Sequence, residues 1–176
     1  MDKKHTACFT GYRPKKLPWG YNESSLECIK LKRRLGEAIL WAYDNGYGRF
    51  ISGGAIGVDL YAAAEVIRLK EIKPDVELVL ALPYPTFNAN LNGRLKDEFE
   101  KTVLAADSTI VCAPCYAPTS FMQRNAYMVD HSSLVIAVYD GMAGGTKNTV
   151  DYAAARGVRI ITLDPREGLN AGFLHW

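Results

Sequence analysis

The chain has 176 residues, of which 48% are hydrophobic and 23% charged, and a formal net charge of +2. That is the composition of a soluble chain with one substantial core, and its charge demands neither a nucleic acid nor an anionic membrane surface. No apolar run approaches the ~20 residues of a membrane span. The polar opening MDKKHTACFTG lacks the apolar segment of a secretory signal, so a single cytoplasmic domain over residues 1–176 is expected.

Thr6–Thr10 reads as a short strand. Ser24 or Ser25 is placed to cap a long helix in which Leu26, Ile29, Leu31, Leu35, Ile39, Leu40 and Tyr43 recur near helical period, and Gly46 or Gly48 stops it. A strand over Arg49–Ser52 precedes a helix over Val58–Leu69. Val76–Leu82 is a nearly continuous apolar strand ended by Pro83, and Asn92–Ala105 is an amphipathic helix. Strand Thr109–Cys112, helix Ser120–His131, strand Leu134–Tyr139, helix Thr149–Arg156 and strand Val158–Leu163 follow. Asp164–Trp176 reads as a tail, loose or packed on the surface.

This alternation predicts an α/β fold, a Rossmann-like three-layer sandwich with a mostly parallel sheet of about six strands. VELVLAL and LVIAVY, apolar at nearly every position, suit central strands. Ligands of such sheets bind beyond the carboxyl ends of the strands. The segments to inspect are therefore Gly11–Pro14, Gly53–Asp59, Pro83–Pro85, Ala113–Tyr116 and Asp140–Asn148.

Two of these segments are glycine-rich and run from strand to helix. Ser52-Gly53-Gly54-Ala55-Ile56-Gly57 is not a Walker A loop, since no Gly-Lys-Ser/Thr follows. Nor does it complete the dinucleotide fingerprint, because the acidic residue expected at the end of the next strand is missing. It either makes a tight turn or presents backbone N–H groups to an anion at a helix N-terminus. Asp59, in the first helical turn, either complements the helix dipole or accepts hydrogen bonds from a sugar hydroxyl; the dipole is expected to lower its pKa. In the second loop, Gly144, Gly145 and Thr146 offer N–H groups and a hydroxyl to an oxyanion, and Lys147 adds charge. Two such loops in one sheet point to an anionic, nucleotide-like ligand.

Other features admit two readings each. Cys112-Ala-Pro-Cys115 has redox or zinc spacing, but no second pair or nearby His completes a metal site, and the motif ends a strand rather than opening a helix; loop thiols are the plainer reading, with no metal or cofactor expected. Arg13, Lys15, Lys16 and Trp19 suit either a solvated loop with a packed Trp or a single-strand nucleic acid surface. Tyr12, Tyr84, Tyr116 and Tyr139, at or just past strand ends, either pack or stack on a base. His5, His131 and His175 form no constellation, and His131 complements a helix C-terminus.

The loop SGGAIGVD, Ser52 to Asp59, resembles the SGxAxGID loop of the DNA-processing DprA/Smf family. The run MQRNAYMVDHSSLVIAVYDGMAGGTKNTVDYA, Met122 to Ala154, is similar both to the RNxxI…SGTxxTA run of that family and to the MxxRKxxM…PGGxGTxxE run of the LOG phosphoribohydrolases. Both belong to the SLOG superfamily. The opening Thr10-Gly11-Tyr12-Arg13-Pro14 most resembles its YpsA-like (DUF1273) branch. The resemblance implies that Arg124 helps hold phosphate or sugar and that Gly144, Gly145 and Thr146 form the phosphate loop. It places Thr149 where LOG enzymes carry a catalytic Glu. A carboxylate stabilises the positive sugar that develops on N-glycosidic cleavage, and a Thr does not.

The expectation is thus a module that binds or senses a nucleotide or nucleotide-derived small molecule. A nucleotide N-glycosidic hydrolase and a single-stranded DNA binder are the alternatives, and self-association follows from the superfamily alone. The expected ligand-binding set is Gly11, Arg13, Ser52, Gly53, Gly54, Gly57, Asp59, Pro83, Tyr84, Arg124, Asn125, Gly144, Gly145, Thr146 and Thr149, with Asp59 and Arg124 as catalytic candidates if there is turnover.

Overall fold

The computed structural model describes residues 2–167. Within them, strands and helices alternate as β1 (Thr6–Gly11), α1 (Leu26–Asp44), β2 (Arg49–Ser52), α2 (Val58–Ile72), β3 (Glu77–Leu82), α3 (Gly93–Ala105), β4 (Ser108–Val111), α4 (Ser120–Asp130), β5 (Leu134–Val138), α5 (Gly145–Ala155) and β6 (Arg159–Leu163). Short 3-10 turns cover Lys3–His5 and Pro14–Lys16. Of the expected tail, residues 168–176, His175 among them, lie outside the described residues.

The six strands form one sheet in the order β4-β3-β2-β1-β5-β6, and every pairing is parallel. The order reverses between β1 and β5. The chain winds outward from β1 to β4, then crosses back to lay β5 beside β1. Adjacent strands at that point send their connections in opposite directions, which leaves a crevice at their carboxyl ends. Both apolar runs become interior strands, whereas β4, at an edge, is largely exposed.

Alternate strand residues serve opposite faces. Phe9, Phe50, Leu78, Leu134 and Ile136 pack with α1 and α2, while Cys8, Ile51, Val79, Val135 and Ala137 pack with α4 and α5. A smaller cluster of Leu80, Leu82, Phe87 and Phe99 lies under α3. Helix α2 is buried on most sides, between α1, α3 and the sheet. Its small residues Ala62 and Ala63 allow that close approach.

Of the two candidates, Ser25 caps α1: its Oγ accepts from the Cys28 N–H at 3.1 Å. The last helix departs from the expected start at Thr149. It begins at Gly145, so the glycine tract ends at Gly144 and the segment read as the end of the loop is the first helical turn. Composition suggested a loop there, but the helix starts wherever the chain can leave Gly144 and stack Thr149 and Val150 on the sheet side. None of the helices among the described residues is long and apolar enough to cross a membrane.

Candidate functional site

A cleft of about 410 Å3 opens at the carboxyl ends of β1 and β5, where the strand order reverses. Gly11 lines it from the end of β1, and Arg13, Lys15 and Lys16 from the segment that follows. Arg124, Asn125 and Phe121 enter from α4, Gly145 and Thr146 from the start of α5, and Asp59 from the start of α2.

Arg124 is its most constrained group. Although it stands on a helix, it is only 5% exposed, which removes the alternative of a solvated surface arginine. Its Nη1 donates to Asp59 Oδ2 at 3.2 Å, and its Nε is buried without a hydrogen-bond partner. A guanidinium is permanently charged, so an unmet N–H beside a cleft is an unmet demand for an acceptor. Asp59, itself 6% exposed, also accepts the Ala55 N–H at Oδ2, 3.3 Å away. Contrary to the lowering expected from the helix dipole, burial pushes the Asp59 carboxyl above its ordinary value; Arg124, the Ala55 N–H and Arg13 pull it partly back. Desolvation of a nearly enclosed carboxylate outweighs the partial charge of a helix end.

The first glycine loop makes room for this pair. A Cβ on Gly53 would lie 1.4 Å from Arg124 Nη1 and 2.6 Å from Asp59 Oδ2. Gly57 has a φ of +95°, and a Cβ there would meet the Tyr12 carbonyl oxygen at 2.7 Å. That close approach lets the Val58 N–H donate to Tyr12 O at 3.2 Å, joining the loop to the segment after β1. Three of its N–H groups are occupied internally: Gly54 on Ser52 Oγ, Ala55 on Asp59, Val58 on Tyr12. Ser52 Oγ also donates to the Asp59 carbonyl at 2.8 Å, fixing the helix start.

The second glycine loop is different. Helix α5 has neither a side-chain cap nor an acidic residue in its first turn, and Gly145 and Thr146 line the cleft. The free N–H groups of a helix N-terminus attract an anion. Lys16 crosses from the other wall and donates to Ala143 O at 3.2 Å. Asp140 is held away as a competitor for these cations: it accepts a short hydrogen bond from Tyr12 Oη and pairs with Arg166 at 2.8 Å. The Tyr12 hydroxyl, followed by the Met142 N–H and Arg166, lowers the Asp140 pKa.

Gly11, Arg13, Asp59, Arg124, Asn125, Gly145 and Thr146 of the expected set therefore meet at one cleft. Ser52, Gly53, Gly54 and Gly57 stand behind it, and Gly144 precedes it as the α5 N-cap. Pro83 and Tyr84 lie to the side, Tyr84 edge-on to Phe87, Tyr116 and Phe121. Thr149 is 3% exposed; its Oγ1 accepts from Asn125 Nδ2 and donates to Gly145 O, both at 2.9 Å. Sequence reading did not include Phe121, whose ring lies 5.1 Å beneath the Arg13 guanidinium. Its position three residues before Arg124, on the same helix face, is the signal that points to it.

Trp19 packs on the core while Lys15 and Lys16 stay exposed, so the RPKKLPW segment is both a packed-Trp loop and a basic rim. Cys112 is half-buried, which pushes its thiol up and away from the reactive thiolate, and Cys115 is exposed. Among the described residues no group of three His, Cys, Asp or Glu side chains is placed to hold a metal.

Comparison with known proteins places this architecture. The uncharacterized SPbeta prophage-derived protein YoqJ of Bacillus subtilis (strain 168) is 32% identical over 139 residues, covering 71% of this chain and 81% of that protein. The UPF0398 protein YpsA of the same organism is 25% identical over 133 residues, 74% of this chain and 73% of the relative. Among solved structures, DNA processing protein A from Helicobacter pylori, described in terms of its single-stranded DNA binding mode, superposes with a TM-score of 0.59 at 17% identity over 94% of this chain. DNA processing protein A from Streptococcus pneumoniae does so with a TM-score of 0.57 at 15% identity over 91%. At those identities the likeness is one of fold, and this chain spans 66% and 50% of the two structures. The family model YpsA, described as the YspA SLOG family, matches residues 7–160, and the chain belongs to that family.

Proposed function

We propose that the cleft between β1 and β5 binds the phosphate of a nucleotide or nucleotide-derived ligand. The observation that carries this reading is the buried Arg124, whose Nε lacks a partner, on the same cleft as the uncapped N-terminus of α5. Arg13, Lys15 and Lys16 add positive charge at the rim, and Asp59, the single carboxylate lining the cleft among the described residues, is engaged by Arg124. Asp59 Oδ2 orients the guanidinium and leaves Oδ1 for a sugar hydroxyl.

Binding or sensing fits these residues better than hydrolysis. Thr149 occupies the position of the LOG glutamate, and its hydroxyl is already used on Asn125 and Gly145. Asp59 Oδ2 is already taken by Arg124 and the Ala55 N–H.

Single-stranded nucleic acid binding is the second reading. It is supported by the exposed Tyr116 ring packed edge-on against Tyr84, which in turn meets Phe121 beneath Arg13, and by the fold shared with the DNA processing proteins. Such a surface offers stacking and backbone charge.

The test is a melting-temperature shift of the wild-type protein and of Arg124→Gln with AMP, ADP-ribose and a short single-stranded oligonucleotide. Binding to the folded state alone raises the melting temperature by mass action. Shifts with the small nucleotides that vanish in Arg124→Gln support the first reading. A response to the oligonucleotide alone, falling steeply with salt, supports the second. No shift with any of the three rejects both.

A further inference from the structure

A second cleft, of about 600 Å3, lies in the groove between α4 and α5. Met122 and Ala126 form one wall at a spacing of four residues, and Asn148 and Tyr152 form the other at the same spacing. Both helices follow strands of the same parallel sheet, so both N-termini lie at the carboxyl edge. Phe121, Asn125 and Gly145 line this cleft and the phosphate cleft alike, which makes the two continuous.

Their chemistries are opposed. The first is rimmed by Arg13, Lys15, Lys16 and Arg124. Among the described residues no charged side chain lines the second; its surface is apolar and aromatic, with exposed amides at Gln123 and Asn148. An amide offers a paired donor and acceptor, the pattern carried by the edge of a heteroaromatic base. The volume falls within the range of small-molecule sites. A second phosphate would find no counter-charge there, whereas a flat uncharged ring would find Met122, Phe121 and Tyr152 to pack on.

We infer that the α4–α5 groove is a base subsite, so that the ligand is a nucleoside monophosphate with its phosphate at Arg124 and its base between Met122, Ala126 and Tyr152. This rests on the reading of the charged cleft given above. It assigns Met122, Ala126 and Asn148 to ligand selection, roles that the motifs around Arg124 and Gly144 do not disclose.

Calorimetric titration of the full chain with AMP and with ribose 5-phosphate separates the two claims. The expected result is that AMP binds about tenfold or more tighter than ribose 5-phosphate, the advantage of one stacked base. Ala126→Phe, which fills the groove from an α4 wall, removes that advantage and leaves ribose 5-phosphate affinity unchanged. Retained ribose 5-phosphate binding also reports that the variant is folded; if Ala126→Phe is not, Met122→Ala at an exposed wall position gives the same comparison. Equal affinities for the two ligands, or an AMP advantage untouched by the variants, overturns the base subsite while leaving the phosphate cleft standing. Failure of both ligands to bind overturns the phosphate cleft itself and the subsite with it.

Discussion

Arg124 Nη1 lies 3.2 Å from Asp59 Oδ2, joining side chains 65 residues apart that are both almost fully buried. The pair fixes α4 to the start of α2 across the top of the sheet. A buried ion pair is a costly way to hold a fold together, because desolvation offsets most of the Coulomb attraction. Here the pair also lines the cleft, and the arginine's Nε is buried without a partner.

Gly53 is part of this device, and a thermodynamic cycle tests it. Gly53→Ala inserts a methyl 1.4 Å from Nη1, so it is expected to displace the guanidinium and lower the melting temperature. In an Arg124→Ala background the obstruction disappears, and most of the cost should disappear with it. Melting the wild type, both single variants and the double variant yields the coupling. Additive effects would mean that Gly53 answers to something other than Arg124.

Gly57 serves the loop junction. Alanine there combines a φ of +95° with a contact of 2.7 Å to the Tyr12 carbonyl. Gly57→Ala should cost more than about 1 kcal/mol, measured by urea unfolding, because strain adds to the clash. A neutral result would show that the segment after β1 moves aside freely.

At the sheet edge, Asp107 ties β4 down. Burial alone would push its carboxyl up, but Lys70 at 2.6 Å and the Leu78 N–H at 2.7 Å more than offset that, and the net shift is downward. A depressed folded pKa contributes stability that is present above the unfolded value, near 3.8, and lost as pH falls through the folded one. Asp107→Asn should therefore lower stability at pH 7 by about 1 kcal/mol, a modest figure because the group is partly exposed. The gap to wild type should close as pH drops below about 4. Circular dichroism melts at pH 7 and at successively lower pH measure both, and a gap that does not narrow at all as pH falls below the unfolded value would assign the effect to packing.

Much of the frame was legible in the chain. Alternating apolar segments and their punctuation placed every strand and helix to within a few residues, because each element has its own period and its own start and stop chemistry. Ser24 or Ser25 and Gly46 or Gly48 bracketed α1, and the two apolar runs marked two of the interior strands. The glycine loops and Arg124 were visible as a pattern as well. The start of α5 was misplaced, since Gly144-Gly145-Thr146 has loop composition and becomes a helical turn only where Thr149 and Val150 find a surface to bury against.

The sequence by itself determined the α/β alternation, the positions of the two glycine loops and the candidacy of Arg124. Only the tertiary structure decided how the loops divide their work. Whether a backbone N–H faces a ligand or a neighbour depends on contacts between distant segments, and local composition carries none of that. The first loop spends its N–H groups on Ser52, Asp59 and Tyr12 and yields room for a guanidinium, while the second leaves a helix end open. The direction of the Asp59 pKa was likewise a matter of burial, which arises where Arg124 of α4 meets the start of α2 across the edge of the sheet. The adjoining α4–α5 groove exists only because a parallel sheet brings two helix N-termini to the same edge.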